Sequence, residues 1–143
     1  MVAIVAGATV YLDTNALIYI TEGAVAFKAS IEAVLREALA AKASLVTSEL
    51  AFTEVLVAPM RDQNSALLDA YSELFDSFVR AVPLERSMLV RAAQLRANMV
   101  RLRTPDAIHL ATAEHVGAAM FVTGDVSIPV LAPMVKRLLS QAE

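Results

Sequence analysis

The sequence contains no cysteine and no tryptophan, and only two histidines. Without cysteine there can be no disulfide and no thiolate metal site. It also lacks an excess of basic charge: twelve Lys and Arg stand against fifteen Asp and Glu, a net charge of −3. A general coater of nucleic acid would be basic, so any contact with nucleic acid must be local. No apolar run approaches the roughly 18–20 residues of a membrane helix. The longest candidate, Met1 to Leu12, is broken by Gly7 and ended by Asp13. It also has no basic start or cleavage pattern of an export signal. A cytoplasmic protein that does not engage membranes is the expectation.

What is abundant is apolar material. The 143 residues are 57% hydrophobic, and the mean hydropathy is +0.58. That suits one domain, residues 1–143, with a dense core or a broad apolar interface with a partner chain. Short apolar runs at Thr9 to Leu12, Ser44 to Val46, Ala81 to Val82 and Met120 to Val122 read as buried strands. Longer helical stretches separate them. One follows Ala24, with Ile31, Val34, Leu35 and Leu39 on one face. A second has Ser48 as N-cap and Pro59 as its stop. Others span Asn64 to Phe78 and Ser87 to Met99. In "TPDAIHLATAEHVG", Thr104 serves as N-cap, Pro105 opens the helix and Gly117 follows its last turn. Leu131 to Leu139 reads as a closing helix. The alternation predicts a three-layer α/β/α domain with a short, mainly parallel central sheet.

Four carboxylates occupy unusual places. Asp13 ends the first strand, in "VYLDTNALIY", and Asp125 follows the last, in "MFVTGD". Asp106 lies in the first turn of the helix after Thr104. Glu54 sits among Phe52, Val55, Leu56 and Val57. Each has a plain structural reading. Asp13 can cap a helix, Asp106 can complement the positive end of one, Glu54 can face solvent and Asp125 can form an Asx turn. Gathered at one rim of the sheet, they would repel one another and resist joint ionisation. A hard dication, Mg2+ or Mn2+, relieves that conflict and suits carboxylate oxygen. It can also activate water and neutralise a phosphoryl oxygen.

These residues resemble a known family. "YLDTNALIY", "SELAFTEVL", "RTPDAIHLATA" and "MFVTGD" are similar, in order, to the four acidic motifs of PIN-domain nucleases, in particular the VapC-type toxins of toxin–antitoxin modules. The resemblance implies a PIN-like fold and a Mg2+- or Mn2+-dependent endoribonuclease. Asp13, Glu54, Asp106 and Asp125 would be its metal-binding, catalytic acids, with Asn15 and Thr123 as supporting polar residues. It further implies an RNA substrate, a cognate antitoxin and a homodimer. Val126 to Pro129 stand where many members carry another acid, which leaves one or two metal ions open. The alternative is a degenerate PIN-like interaction module without nuclease activity.

Other features have two readings each. His109, three residues after Asp106, can be a base, a hydrogen-bond donor behind the site, or a packed core histidine. Arg86, Arg91, Arg96, Arg101 and Arg103 form either a phosphate-binding patch or a solvated surface. The eight residues before the first strand suggest an added turn or strand.

Overall fold

A computed structural model describes residues 3–141. Five strands, β1 (Thr9–Leu12), β2 (Ser44–Ser48), β3 (Arg80–Val82), β4 (Met120–Thr123) and β5 (Val135–Leu138), form one sheet. Their order is β3-β2-β1-β4-β5, and every neighbouring pair is parallel. Six helices connect them: α1 (Thr14–Glu22), α2 (Lys28–Ala40), α3 (Leu50–Arg61), α4 (Ser65–Ser77), α5 (Arg86–Asn98) and α6 (Thr104–His115). A 3₁₀ turn at Val25–Phe27 leads into α2. Met1 and Val2, part of the leading segment, lie outside the described residues. The rest of that segment makes a turn rather than a strand, with Gly7 at φ 71° and its N–H on the Ala41 carbonyl.

The sheet is covered on both sides, and strand periodicity says how. Tyr11 and Phe121 face one side, where they join Met88, Ala92 and Leu95 of α5 and Ala107, Leu110 and Ala111 of α6. Val10, Leu12, Met120 and Val122 face the other, against Leu17, Val34, Val55, Tyr71 and Leu74 from α1 to α4. Both faces are apolar, which is why the strands read as continuous runs rather than as alternating ones.

Four boundaries differ from expectation. Glu49 and Arg103 hold the N-cap positions of α3 and α6, in place of Ser48 and Thr104, although Ser48 Oγ still accepts the Leu50 N–H at 3.0 Å. Residues 131–139 do not form a helix; Val135–Leu138 is the edge strand β5. A short apolar run fits either period, and β4 would otherwise leave a row of backbone groups unpaired. Pairing with β4 decides the matter. Pro59 lies inside α3 rather than stopping it. Its ring costs the helix one hydrogen bond, and the helix runs two residues further to Arg61.

Local chemistry explains the other ends. Asn64 caps α4 by accepting from the Leu67 N–H at 3.1 Å. Gly23 ends α1 at φ 66°, a left-handed angle that favours glycine. Tyr71, fully buried, reaches from α4 to donate its hydroxyl hydrogen to Glu22 at 2.5 Å. Burial first, then the neighbouring Glu22 carboxylate, pushes the phenol above its ordinary range, so it stays a donor. Tyr71→Phe should lower unfolding free energy by ~1.5–3 kcal/mol in urea denaturation, the cost of one hydrogen bond to a charged acceptor. An unchanged midpoint would mean that the bond adds nothing over hydration.

Candidate functional site

The strand order creates a crevice. From β1 the chain steps outward to β2 and β3, then returns past β1 to β4 and β5. The direction reverses between β1 and β4, and ligands of open parallel sheets bind beyond the carboxyl ends at such a point. Asp13 leaves β1 there. Gly124 and Asp125 leave β4 beside it.

Asp13 is 5% exposed. Its backbone N–H donates to the Val122 carbonyl at 2.9 Å, which ties the end of β1 to β4. Oδ1 accepts from the Thr14 N–H at 2.8 Å and so caps α1. Oδ2 accepts from the Thr123 hydroxyl at 2.8 Å and the Asn15 amide at 3.3 Å. Burial pushes the Asp13 carboxyl above its usual range, with the nearby Asp106 carboxylate adding to it. The hydrogen bonds and His109 only partly offset this. Asp13 is therefore a carboxylate that a cation would relieve.

Asn15 and Thr123 lock this group to the β4 exit. The Asn15 amide nitrogen donates to Thr123 Oγ1 at 3.2 Å, and its oxygen accepts the Gly124 N–H at 2.8 Å. Thr123 Oγ1 in turn accepts the Asp125 N–H at 3.1 Å. Gly124 has no spare room. A Cβ there would lie 3.0 Å from the ring of Tyr19, which is stacked on Phe27 at 4.1 Å. Gly124→Ala should therefore cost about 1–3 kcal/mol in thermal or urea unfolding, as overpacking does. A wild-type melting curve would show that Tyr19 yields freely.

The remaining acids have partners of their own. Asp125 Oδ1 accepts from the N–H and hydroxyl of Ser127 at 2.9 and 2.7 Å, an Asx turn. Those bonds hold it below the usual carboxylate range. Asp106 Oδ2 accepts from Arg103 Nε at 3.0 Å; the Arg103 side chain is 72% exposed and that of Asp106 14%. Glu54 projects from α3 at the edge of the site, its side chain 29% exposed. Its Oε1 lies 2.5 Å from His109 Nε2 and 2.8 Å from the Thr14 hydroxyl. Burial pushes Glu54 up, but His109 and Thr14 outweigh it and the carboxyl ends below its ordinary range.

The four acids thus border one region, and the Arg103 guanidinium is favoured by Asp106, Asp125 and Glu54 together. They are not gathered into a cage. Among the described residues, no three His, Cys, Asp or Glu side chains stand close enough together to hold a metal ion. The donor set fits a hard cation in kind: all oxygen, with a buried carboxylate at its centre. In this arrangement, protein partners occupy part of each carboxylate.

Lys136 enters the region from β5, donating to the Val126 and Ile128 carbonyls at 2.8 Å each. Burial lowers its pKa, while Asp125 and Asp13 oppose the shift. Reading residues 131–139 as a helix hides this lysine. Thr14 and His109 are also part of the site. Thr14 stands next to Asp13, but its link to Glu54 crosses 40 residues. Beside Asp106, an open cleft of about 460 Å³ is lined by Arg101, Arg103, Ser127 and Ile128 among others. Of the arginine cluster, Arg91 pairs with Glu114 and Arg96 binds the Leu102 carbonyl and Thr104. Those two have structural work. Tyr11 and Tyr71 are buried in the core.

Comparison with known proteins gives a consistent picture. The family model described as "PIN domain" matches residues 10–132. No curated protein matches the chain significantly. Among solved structures, a toxin–antitoxin complex from Klebsiella pneumoniae is similar at a TM-score of 0.63 and 21% identity, covering 88% of this chain and 94% of that one. VapBC2 from Rickettsia felis, bound to a promoter DNA fragment, is similar at 0.65 and 19%, covering 90% and 96%. FitAcB from Neisseria gonorrhoeae is similar at 0.66 and 16%, covering 89% and 95%. At these identities the likeness is one of fold. Among the described residues, no helix is long and apolar enough to cross a membrane.

Proposed function

Because the chain belongs to the PIN-domain family, we propose that it is a metal-dependent endoribonuclease of the VapC type, the toxin of a type II toxin–antitoxin pair. The observation that carries this reading is the placement of Asp13 and Asp125 at the reversal point between β1 and β4, with Asp106 and Glu54 bordering the same region. Asp13, Asp106 and Asp125 would hold Mg2+ or Mn2+, and Glu54 would complete the set or orient the attacking water. When bound, the ion supplies Lewis-acid polarisation of the phosphoryl oxygen and lowers the pKa of water.

The chain's own residues do the rest. Thr123 and Asn15 fix the rotamer of Asp13, so one carboxylate is aimed before the ion arrives. Glu54 stays ionised near neutral pH and can accept a hydrogen bond from water. Asp106 becomes fully available when Arg103 turns away, and Arg103 is exposed enough to do so. Arg101 and Arg103 line the adjoining cleft, where they can meet RNA phosphates despite the net negative charge. Hydrolysis is favoured over attack by the RNA 2′-hydroxyl. Both ring nitrogens of His109 are engaged, by Tyr11 and Glu54, and Lys136 is held by the Val126 and Ile128 carbonyls, so neither is a free acid or base.

The similar structure from Klebsiella pneumoniae is a toxin–antitoxin complex, which supports a cognate antitoxin as partner. A homodimer is proposed on the family resemblance. One observation favours the second reading, a PIN-like interaction module without activity: no three metal-ligating side chains converge among the described residues. Incubation with total cellular RNA, with and without Mn2+, followed by mapping of the new ends, separates the two. The nuclease reading expects discrete Mn2+-dependent ends that EDTA abolishes. RNA left intact at every metal concentration would favour the module.

A further inference from the structure

His109 is 1% exposed and lies in the middle of a polar chain that crosses the core. Its Nδ1 is 2.6 Å from the Tyr11 hydroxyl oxygen, and its Nε2 is 2.5 Å from Glu54 Oε1. The chain therefore joins the central strand β1 to α3 through α6. Tyr11 is itself fixed, stacked on Phe121 with ring centroids 5.1 Å apart and planes 11° apart. A phenol keeps its hydrogen at neutral pH, and the contact with Nδ1 lets Tyr11 donate it. With Nδ1 accepting, the neutral ring carries its proton on Nε2, which donates to Glu54. The Thr14 hydroxyl donates to the same oxygen. Both bonds fall on Oε1; among the described residues, neither engages Oε2.

We propose that Tyr11 and His109 are positioning residues that hold Glu54 by Oε1 and so present Oε2 to the cation site. The proposal rests on the metal-dependent reading above. It gives His109 a task that simple packing does not require. A histidine that only fills volume needs no phenol behind it and no carboxylate before it. Here the order of partners, buried donor, ring, then half-exposed acid, transmits the rigidity of the sheet to a side chain on a separate helix. Hydrogen-bond partners behind metal ligands characteristically set ligand orientation, at ~10–100-fold in affinity when lost.

Two near-isosteres separate holding from filling. The amide of Gln reaches the place of Nε2 and can keep the bond to Glu54; the amide of Asn stays near Nδ1 and cannot. In the full-length chain, Mn2+ binding by calorimetry should weaken about tenfold or more in His109→Asn. In His109→Gln it should stay within about threefold of wild type. Tyr11→Phe, which leaves the ring without its donor, should fall about three- to tenfold. Mn2+-dependent cleavage of total cellular RNA should follow the same order through kcat more than KM. Equal Mn2+ affinity in the Asn and Gln variants, whether both are weakened or both unchanged, would overturn the positioning role. If the Asn variant does not fold, the Tyr11→Phe and Gln pair decides, and Tyr11→Phe binding as tightly as wild type would overturn it. No Mn2+ binding by the wild-type chain would overturn the metal reading and this role together.

Discussion

Replacing Asp13 with Asn should abolish function while sparing the fold. On the proposed mechanism the variant loses the one carboxylate already aimed by Thr123 and Asn15. Removal of a principal electrostatic contributor typically costs ~10²–10³-fold in rate. Expression of the intact wild-type chain should arrest growth, and Asp13→Asn should relieve the arrest. Stability should change little. Asn caps a helix about as well as Asp, so the bond to the Thr14 N–H survives, while the amide nitrogen that replaces Oδ2 loses the bonds from Thr123 and Asn15. The variant also removes a buried charge whose carboxyl is pushed up by desolvation. The sign follows from linkage. Between the ordinary carboxyl range and the raised folded value, the folded chain retains a proton that the unfolded chain has lost. Folding stability therefore falls as pH rises through that window and stays lower above it. At neutral pH the metal-free variant should melt close to wild type, the relief of the buried charge offsetting the lost Oδ2 bonds. Equal toxicity of the two chains would remove Asp13 from the mechanism. A large drop in melting temperature would show that the Oδ2 bonds from Thr123 and Asn15 outweigh the relief of the buried charge.

The second large effect is stabilisation by metal. An ion that binds only the folded chain adds about 2.7 kcal/mol at one hundred times its Kd. For a chain of this length that raises the melting temperature by roughly 8–10 °C. The gain should be larger at pH 7 than at pH 5, because the ion competes with the proton that burial favours on Asp13. Glu54 and Asp125 are already held below the ordinary range and should add little to that pH dependence. Asp13→Asn should abolish the gain. A melting curve indifferent to millimolar Mn2+ at neutral pH would count against a bound dication.

Much of this was legible in the residues themselves. Two apolar runs that stop on Asp13 and on Gly124–Asp125 place two acids at strand ends, and a parallel α/β sheet places those ends on one side. The helix after Arg103 is equally clear from Thr104, Pro105 and Gly117. What local pattern cannot carry is pairing across distance. Strand β5 was hidden because nine residues with Leu131, Val135, Leu138 and Leu139 satisfy a helical period as well as a strand's. With it went Lys136, which no reading of the neighbours of Asp125 would supply. The partners of His109 are equally remote, 98 residues away at Tyr11 and 55 at Glu54. Spacing from Asp106 suggests only that the ring shares a helix face with the acid. The fold buries the ring against Tyr11 and joins it to Glu54 of α3.

The plain readings of the acids also hold in part, and for a physical reason. Asp13 does cap α1, Asp125 does form an Asx turn and Asp106 does stand in the first turn of α6, where it also pairs with Arg103. A carboxylate has two oxygens and several lone pairs. One oxygen can satisfy a backbone or side-chain donor while the other serves a ligand. Capping and coordination are therefore compatible roles.

Like charges assembled at the exit of the two central strands make sense chemically when a divalent ion arrives to bridge them. Anomalous diffraction from a crystal soaked in Mn2+ is the most direct test: the account predicts a peak within coordination distance of an Asp13 oxygen, shared with Asp106 or Asp125. A peak bound to other residues alone, or no peak at saturating Mn2+, would contradict it.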